Sequence, residues 1–310
     1  MKIISEVEIK KSKFKITHKS PVLLVGSCFT SNMGNYLKEI KIPVAINPSG
    51  ILFDPFSICR HLDLFISEKE LNKGDLELEE DLYYNFDFHS QFNDINAESC
   101  LEKINSAIKL GSESLKKAKF LILTLGSAYC YYHKKKEIFV ANCHKVSQKE
   151  FNKTLAGIEN IRAEFIKIIQ KIKEINPELV VIFTISPVRH LRDGIIENSR
   201  SKARLIELVH QLAEEFEHVK YFPSYEIIMD ELRDYRWYDI DLAHPNFAAT
   251  EYIKEKFFNA YLDKESLKLG VEFQKIKKGI NHRPMHAESK AHQKFVEELK
   301  DKIRNYHQKY

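Results

Sequence analysis

Four short apolar runs constrain what this chain can fold into more than any other feature. Residues 22–25, 44–46, 120–125 and 180–185 are rich in β-favouring residues, and each is bounded by Pro, Gly, Ser or charge. Runs of this length and composition read as strands buried on both faces of a parallel sheet. Residues 218–222 supply a candidate fifth strand. Between the runs lie helical patterns. One follows the first run over residues 30–41. A second opens at Ser147-Gln-Lys-Glu150, a capping box, and continues through Phe151, Leu155, Ile158, Ile161, Phe165, Ile168, Ile172 and Ile175 until Asn176-Pro177 stops it. Residues 197–217 form a third, with Ala203, Leu205, Leu208, Val209 and Leu212 on its apolar side, and residues 247–261 a fourth. Strand alternating with helix predicts the α/β class: a three-layer α/β/α sandwich with a mainly parallel, flavodoxin-like sheet of about five strands.

Two parts stand outside that alternation. Residues 56–115 hold a helix, a charged stretch and the aromatic segment Tyr83-Tyr-Asn-Phe-Asp-Phe-His-Ser-Gln-Phe92, read as a helical and aromatic insertion near the mouth of the sheet. Residues 129–133 and 137–141, joined by three lysines, predict a β-hairpin. Residues 1–262 are expected to form the main domain and residues 263–310 a helical extension docked on it. In that extension Phe295, Leu299, Ile303 and Tyr306 line one face of a helix over 287–306.

A chain of 310 residues can bury a large core. No run approaches the roughly 20 apolar residues that span a bilayer, so no membrane role is expected. The start of the chain is charged (Lys2, Glu6, Glu8, Lys10, Lys11) and has no apolar signal core, which points to the cytoplasm. Five cysteines (Cys28, Cys59, Cys100, Cys130 and Cys143) make an odd number without a dense framework, as expected of reduced thiols. The net charge of +4 is spread over interleaved Lys and Glu, so the lysine clusters at 10–13, 134–136 and 275–278 read as solvated faces and not as a nucleic-acid footprint.

The chemistry concentrates in two segments. In the first, a strand stops at Gly26 and Ser27-Cys28 follow at once on a turn into a helix, a common way to hold a nucleophile exposed and preorganised. In the second, Asp241-Leu-Ala-His244 places an acid and an imidazole three residues apart. Together they suggest ester or acyl-transfer chemistry. Cys28 is the expected nucleophile; the unpaired amides and dipole at a helix start would favour its thiolate. Plain packing of a small apolar side chain and a Ser27 nucleophile both remain open, and Ser27 has a further reading as an N-cap. His244 is the expected base, with Asp241, or its rival Asp239, fixing the imidazole; an exposed loop histidine beside a capping acid is the simpler alternative.

Gly26-Ser-Cys-Phe-Thr30 resembles the signature of the GSCFA-domain family. Asn142-Cys-His-Lys-Val146, Ser186-Pro-Val-Arg-His190 with Asp193-Gly194, Ser201-Lys-Ala203, Tyr221-Phe-Pro-Ser-Tyr-Glu226 and Asp241-Leu-Ala-His-Pro-Asn246 look like its later blocks. The family is grouped with the SGNH (GDSL-like) hydrolases, and the resemblance implies their fold, with the site at the carboxyl ends of the strands. It lays Gly26 on the Gly of that superfamily's first block, Ser27 on its Asp, Cys28 on its nucleophilic Ser, Gly50 on the Gly of the second block, and Asp241 and His244 on the last. The third block, Gly-x-Asn, reads Gly126-Ser-Ala128 and lacks the asparagine. Asn142 is the candidate to replace it as an oxyanion donor, beside the Cys28 and Gly50 amides; a plain turn glycine at Gly50 and a hairpin cap at Asn142 are the alternatives. Arg189 and His190, just past a strand end, suit an acidic substrate group; an arginine closing a surface ion pair is the plain reading.

No metal and no cofactor are expected. Cys143, His144, His190 and His244 offer ligands without a C-x-x-C, and Pro284 interrupts the one H-x-x-x-H spacing at His282 and His286. No G-x-x-x-x-G-K phosphate loop occurs. The expected function is that of an esterase-type hydrolase acting on an ester or acyl-thioester through a covalent acyl-enzyme. An acyltransferase on a small-molecule or carbohydrate substrate and a non-catalytic binding module are the alternatives. The oligomeric state is left open.

Overall fold

The computed structural model describes residues 4–286 and 288–309. The chain runs β1 (Val22–Gly26), α1 (Cys28–Glu39), β2 (Val44–Ile46), α2 (Pro55–Ser67), the hairpin of β3 (Glu77–Glu79) and β4 (Leu82–Tyr84), α3 (Ala97–Lys117) and β5 (Phe120–Leu125). It continues through β6 (Tyr129–His133), β7 (Ile138–Val140), β8 (Phe151–Leu155), α4 (Ile158–Ile175), β9 (Val180–Ile185), α5 (Ile195–Glu215), β10 (Val219–Phe222) and the single turn α6 (Ser224–Glu226). Helices α7 (Phe247–Tyr261), α8 (Lys264–Ile280) and α9 (Lys290–Lys309) complete it. No described helix is long and apolar enough to cross a membrane.

The apolar runs form one five-stranded parallel sheet, in the order β10-β9-β5-β1-β2. Side chains alternate between its faces with the period of two that a strand imposes. Leu23, Val25, Leu121, Leu123, Val181 and Phe183 pack against α2, α4 and α5. Val22, Leu24, Phe120, Ile122, Val180 and Ile182 pack against α1 and α7. The result is the expected α/β/α sandwich. From β1 the chain turns one way to β2, then crosses back to β5 on the other side of β1. The crevice between the carboxyl ends of β1 and β5 is therefore the switch point where doubly wound sheets hold ligands.

The helix expected from Ser147 starts ten residues later. Ser147 Oγ does accept from the Lys149 amide, but it opens a 3-10 turn, Gln148–Glu150. Phe151–Leu155 then pairs antiparallel with β6, making a three-stranded sheet, and α4 begins at Ile158. Phe151 and Leu155 are four apart and satisfy helical spacing. Tertiary packing overrides it, because Phe151 is buried with Tyr84, Phe86 and Val140 under the hairpin. A second correction concerns α5: Ala203 is exposed, and its buried face carries Asn198, Ser201, Lys202, Leu205, Leu208, Val209 and Leu212.

Within residues 56–115, α2 and the end of α3 join the sandwich through Ile58, Leu62, Phe65 and Leu115. The aromatic segment packs separately, Phe88 and Phe92 against α3. The C-terminal helices form a hairpin in which Leu299, Ile303 and Tyr306 of α9 meet Leu269, Phe273 and Ile276 of α8. Gly270 seats α8 against Ile40, at the end of α1. Ala287, the expected start of α9, lies outside the described residues, as does Lys2.

Gly26 ends β1 at φ +144°, and a Cβ built there would lie 2.3 Å from the Thr124 carbonyl oxygen. Both the angle and the contact with rigid backbone exclude a side chain. Gly26→Ala is expected to cost at least about 2 kcal/mol of folding stability, a strained φ plus a displaced strand, read from urea unfolding followed by circular dichroism.

Candidate active site

Beyond the ends of β1, β5 and β9 opens a cleft of about 760 Å³, lined by Ser27, Cys28, Ser127, Asn142, Ser186, Arg189, His190 and His244 among others. That volume suits a small-molecule ligand. Cys28 is the first residue of α1 and only partly buried, so its sulfur faces the cleft at the switch point. The amides of Cys28 and Phe29, which have no intrahelical acceptor, donate toward the sulfur. Burial nevertheless dominates and raises the thiol above its ordinary value, with those amides and Lys202 pulling the other way. The amides at the helix start do pull toward the thiolate, as expected, but desolvation outweighs them.

Ser27 occupies the N-cap position but makes no capping bond. Its Oγ is buried without a partner, at 1 % residue exposure. Cys28 is the more accessible of the two nucleophile candidates.

His244 is half-exposed, and its Nδ1 lies 2.5 Å from Asp241 Oδ2. That bond assigns the Nδ1 proton to the carboxylate side and leaves Nε2 as the acceptor. Asp241 Oδ1 also accepts from the amides of Ala243 and His244, at 2.9 and 3.0 Å. These bonds hold the carboxyl down to about 2. Asp239 contributes only backbone bonds to the loop. The loop is tied to the strand side by the Arg189 amide, which donates to the Ala243 carbonyl at 3.0 Å. His244 and Cys28 therefore line one cleft; among the described residues no hydrogen bond joins them, and Nε2 is unoccupied.

The expected oxyanion donors divide. The Gly50 amide donates to the Asn47 carbonyl at 2.8 Å, closing an Asn-Pro-Ser-Gly turn, so it is spent. The Gly126 amide donates to the Phe53 carbonyl at 2.9 Å and is spent likewise. Asn142 lines the cleft; its Oδ1 accepts from the His144 amide, and among the described residues nothing accepts from its Nδ2. Arg189 makes no ion pair among the described residues. Its guanidinium sits 5.7 and 5.5 Å from the Tyr235 and Tyr238 rings. His190 is no second cation: burial and the nearby Lys202 charge push it down to about 4, so it is neutral.

Three charged residues here were given no role in the reading of the sequence, although Asp193 and Lys202 fall within the blocks quoted there. Lys153 and Asp193 pair at 2.5 Å on the cleft wall. Lys202 is buried beneath the floor, its Nζ donating to the carbonyls of Gly126 and Ser186, each at 2.7 Å. The signal for Lys202 was available: it is in phase with Leu205, Val209 and Leu212, three, seven and ten residues on.

The model of the GSCFA family matches residues 21–257, and that of the GSCFA domain protein, C-terminal domain, matches residues 273–310. The chain belongs to the GSCFA family. Among curated proteins no match was found.

The five thiols should separate by burial. Cys59, Cys100 and Cys130 are 3 %, 0 % and 1 % exposed and are expected to resist iodoacetamide in the folded protein, while Cys28 and Cys143 react. Because only the thiolate reacts and burial raises the Cys28 thiol above 9.0, its labelling rate should still climb through pH 9. Peptide mass mapping from pH 6 to pH 10 checks this; a plateau below pH 8 would contradict it.

Proposed function

We propose that this member of the GSCFA family is an SGNH-like hydrolase that cleaves an ester or acyl-thioester through an acyl–Cys28 intermediate. One observation carries the reading: an accessible thiol at the sheet's switch point and an Asp241–His244 pair with a bare Nε2 line the same cleft. In the proposed sequence His244 Nε2 takes the thiol proton and the sulfur adds to the substrate carbonyl carbon. The carbonyl π electrons move to oxygen, where the amides at the start of α1 and Asn142 Nδ2 donate to it. The leaving oxygen or sulfur departs with the proton from the imidazolium, which Asp241 stabilises. Water, or an acceptor hydroxyl in a transferase, then gives its proton to Nε2 and attacks the thioester, and the Cys28 thiol is regenerated.

The substrate is a small molecule or carbohydrate bearing the acyl group. Arg189, without a carboxylate partner among the described residues, suits an acidic group on it. Free thiols throughout fit a reducing compartment, so we place the reaction in the cytoplasm. The spent amides of Gly50 and Gly126 favour a second reading, a binding module that keeps the cleft without turnover.

Hydrolysis of p-nitrophenyl acetate and of a short acyl-thioester separates the two. Catalysis predicts that Cys28→Ala abolishes turnover and that His244→Ala or Asp241→Asn lowers it about 10²–10⁴-fold. Intact mass should show an acyl adduct on Cys28 that accumulates in His244→Ala. No turnover and no adduct with either ester leaves the binding reading.

A further inference from the structure

Lys202 is the one buried lysine among the described residues, 1 % exposed and paired with no carboxylate. Its stem rises from the buried face of α5, and its ammonium reaches the carboxyl ends of β5 and β9, where two carbonyls accept from it. The neighbouring Ser201 Oγ accepts from the Ala128 amide at 2.8 Å. Adjacent residues of α5 thus grip the Gly126-Ser-Ala128 backbone, the block that lacks its asparagine.

Two carbonyl dipoles satisfy two of the three ammonium protons but supply no net charge. A buried cation left so is costly, and burial drags Lys202 down to about 7. The titratable groups facing it come from three elements. His190, past β9, is neutral and can only repel a cation. Tyr225, on α6, is 5.5 Å from Nζ at its ring, and burial raises its hydroxyl, which keeps it neutral. Cys28, on α1, remains: it lies two residues past Gly26, which pairs with Thr124 on β5, and the Gly126 carbonyl that accepts from Lys202 lies two residues past Thr124. There the ammonium favours the thiolate, and the thiolate favours the ammonium.

We propose that Lys202 is the buried counter-charge of Cys28, a positioning residue that holds the thiolate from beneath the cleft floor, in the place of a surface cation. The thiol proton passes to a base in the cleft, and Lys202 keeps its own; no bond to Lys202 forms or breaks. The resulting ion pair is sheltered from salt, unlike one at a surface. The role in catalysis rests on the acyl-enzyme reading above, but the ionisation itself is measured without turnover. Absence of turnover with this coupling intact would therefore count against the hydrolase alone.

The test is the rate of Cys28 alkylation by iodoacetamide, resolved by peptide mass and followed against pH on the folded, full-length chain. Lys202→Met removes the charge and keeps the apolar stem; Lys202→Arg restores a charge. The methionine variant is expected to slow Cys28 at pH 6, where Lys202 is still protonated, at least about tenfold, the equivalent of one unit of thiol ionisation. Cys143 in the same cleft should keep its rate, and arginine should return most of the loss. If Lys202 only ties two strand ends, Lys202→Met leaves the Cys28 rate unchanged, or raises both rates as the floor loosens; either result overturns the proposal. Should Lys202→Met fail to fold, Cys28→Asp and Cys28→Ala are compared in the Lys202 chain. The aspartate variant should melt at least about 2 °C higher at pH 7 and lose the margin only as pH falls below about 4, through the depressed value of a paired carboxyl. Equal melting at pH 7 overturns the proposal.

Discussion

The close approach of two strand ends, Gly26 of β1 against Thr124 of β5, is the contact on which the rest of this structure depends. Because Gly26 has no Cβ, its backbone lies against the Thr124 carbonyl, and the Ser27 amide donates to that same oxygen at 3.2 Å. The bond turns the chain sharply from strand into helix and delivers Cys28 to the first position of α1. On the other side of the turn Asn47 Oδ1 accepts from the Gly26 amide at 2.9 Å. The switch point is thus braced from β5 and from the loop after β2, and the sulfur inherits a place that neither strand sets alone.

The strands were legible because a strand buried on both faces has to be an unbroken apolar run, and residues 120–125 and 180–185 have few other ways to be read. The pairing of Asp241 with His244 was legible because three residues of turn leave the two side chains within reach. Residues 151–155 were not, since Phe151 and Leu155 fit a helix and a strand edge equally; the partner that decides between them, β6, is a matter of tertiary packing. Lys202 was passed over because the apolar stripe of α5 was phased on Ala203, one residue away. Of the two readings open for Gly50, the turn glycine is the one the structure bears out, as the amide that closes Asn-Pro-Ser-Gly is committed to the turn. Depth of burial at Cys28 has no local signature, so the balance between desolvation and the helix start could not be read.

The cleft combines charge and concealment in an unusual proportion. Its accessible walls carry Arg189 between two tyrosine rings and Lys153 joined to Asp193. A further cation, Lys202, lies under the floor, held by carbonyls. Between these charges the cleft is lined by polar, uncharged groups, among them Ser127, Ser186 and Asn142.

Helix α1 carries the sulfur at one end and meets the C-terminal hairpin at the other. Glu39 bonds Lys277 at 3.3 Å, and Ile40 receives Gly270. Twelve residues of helix make a rod about 18 Å long. The helix is thus fixed at both ends, at the strand ends by its first turn and at the C-terminal hairpin by its last, so the hairpin helps set the axis along which the thiol is held.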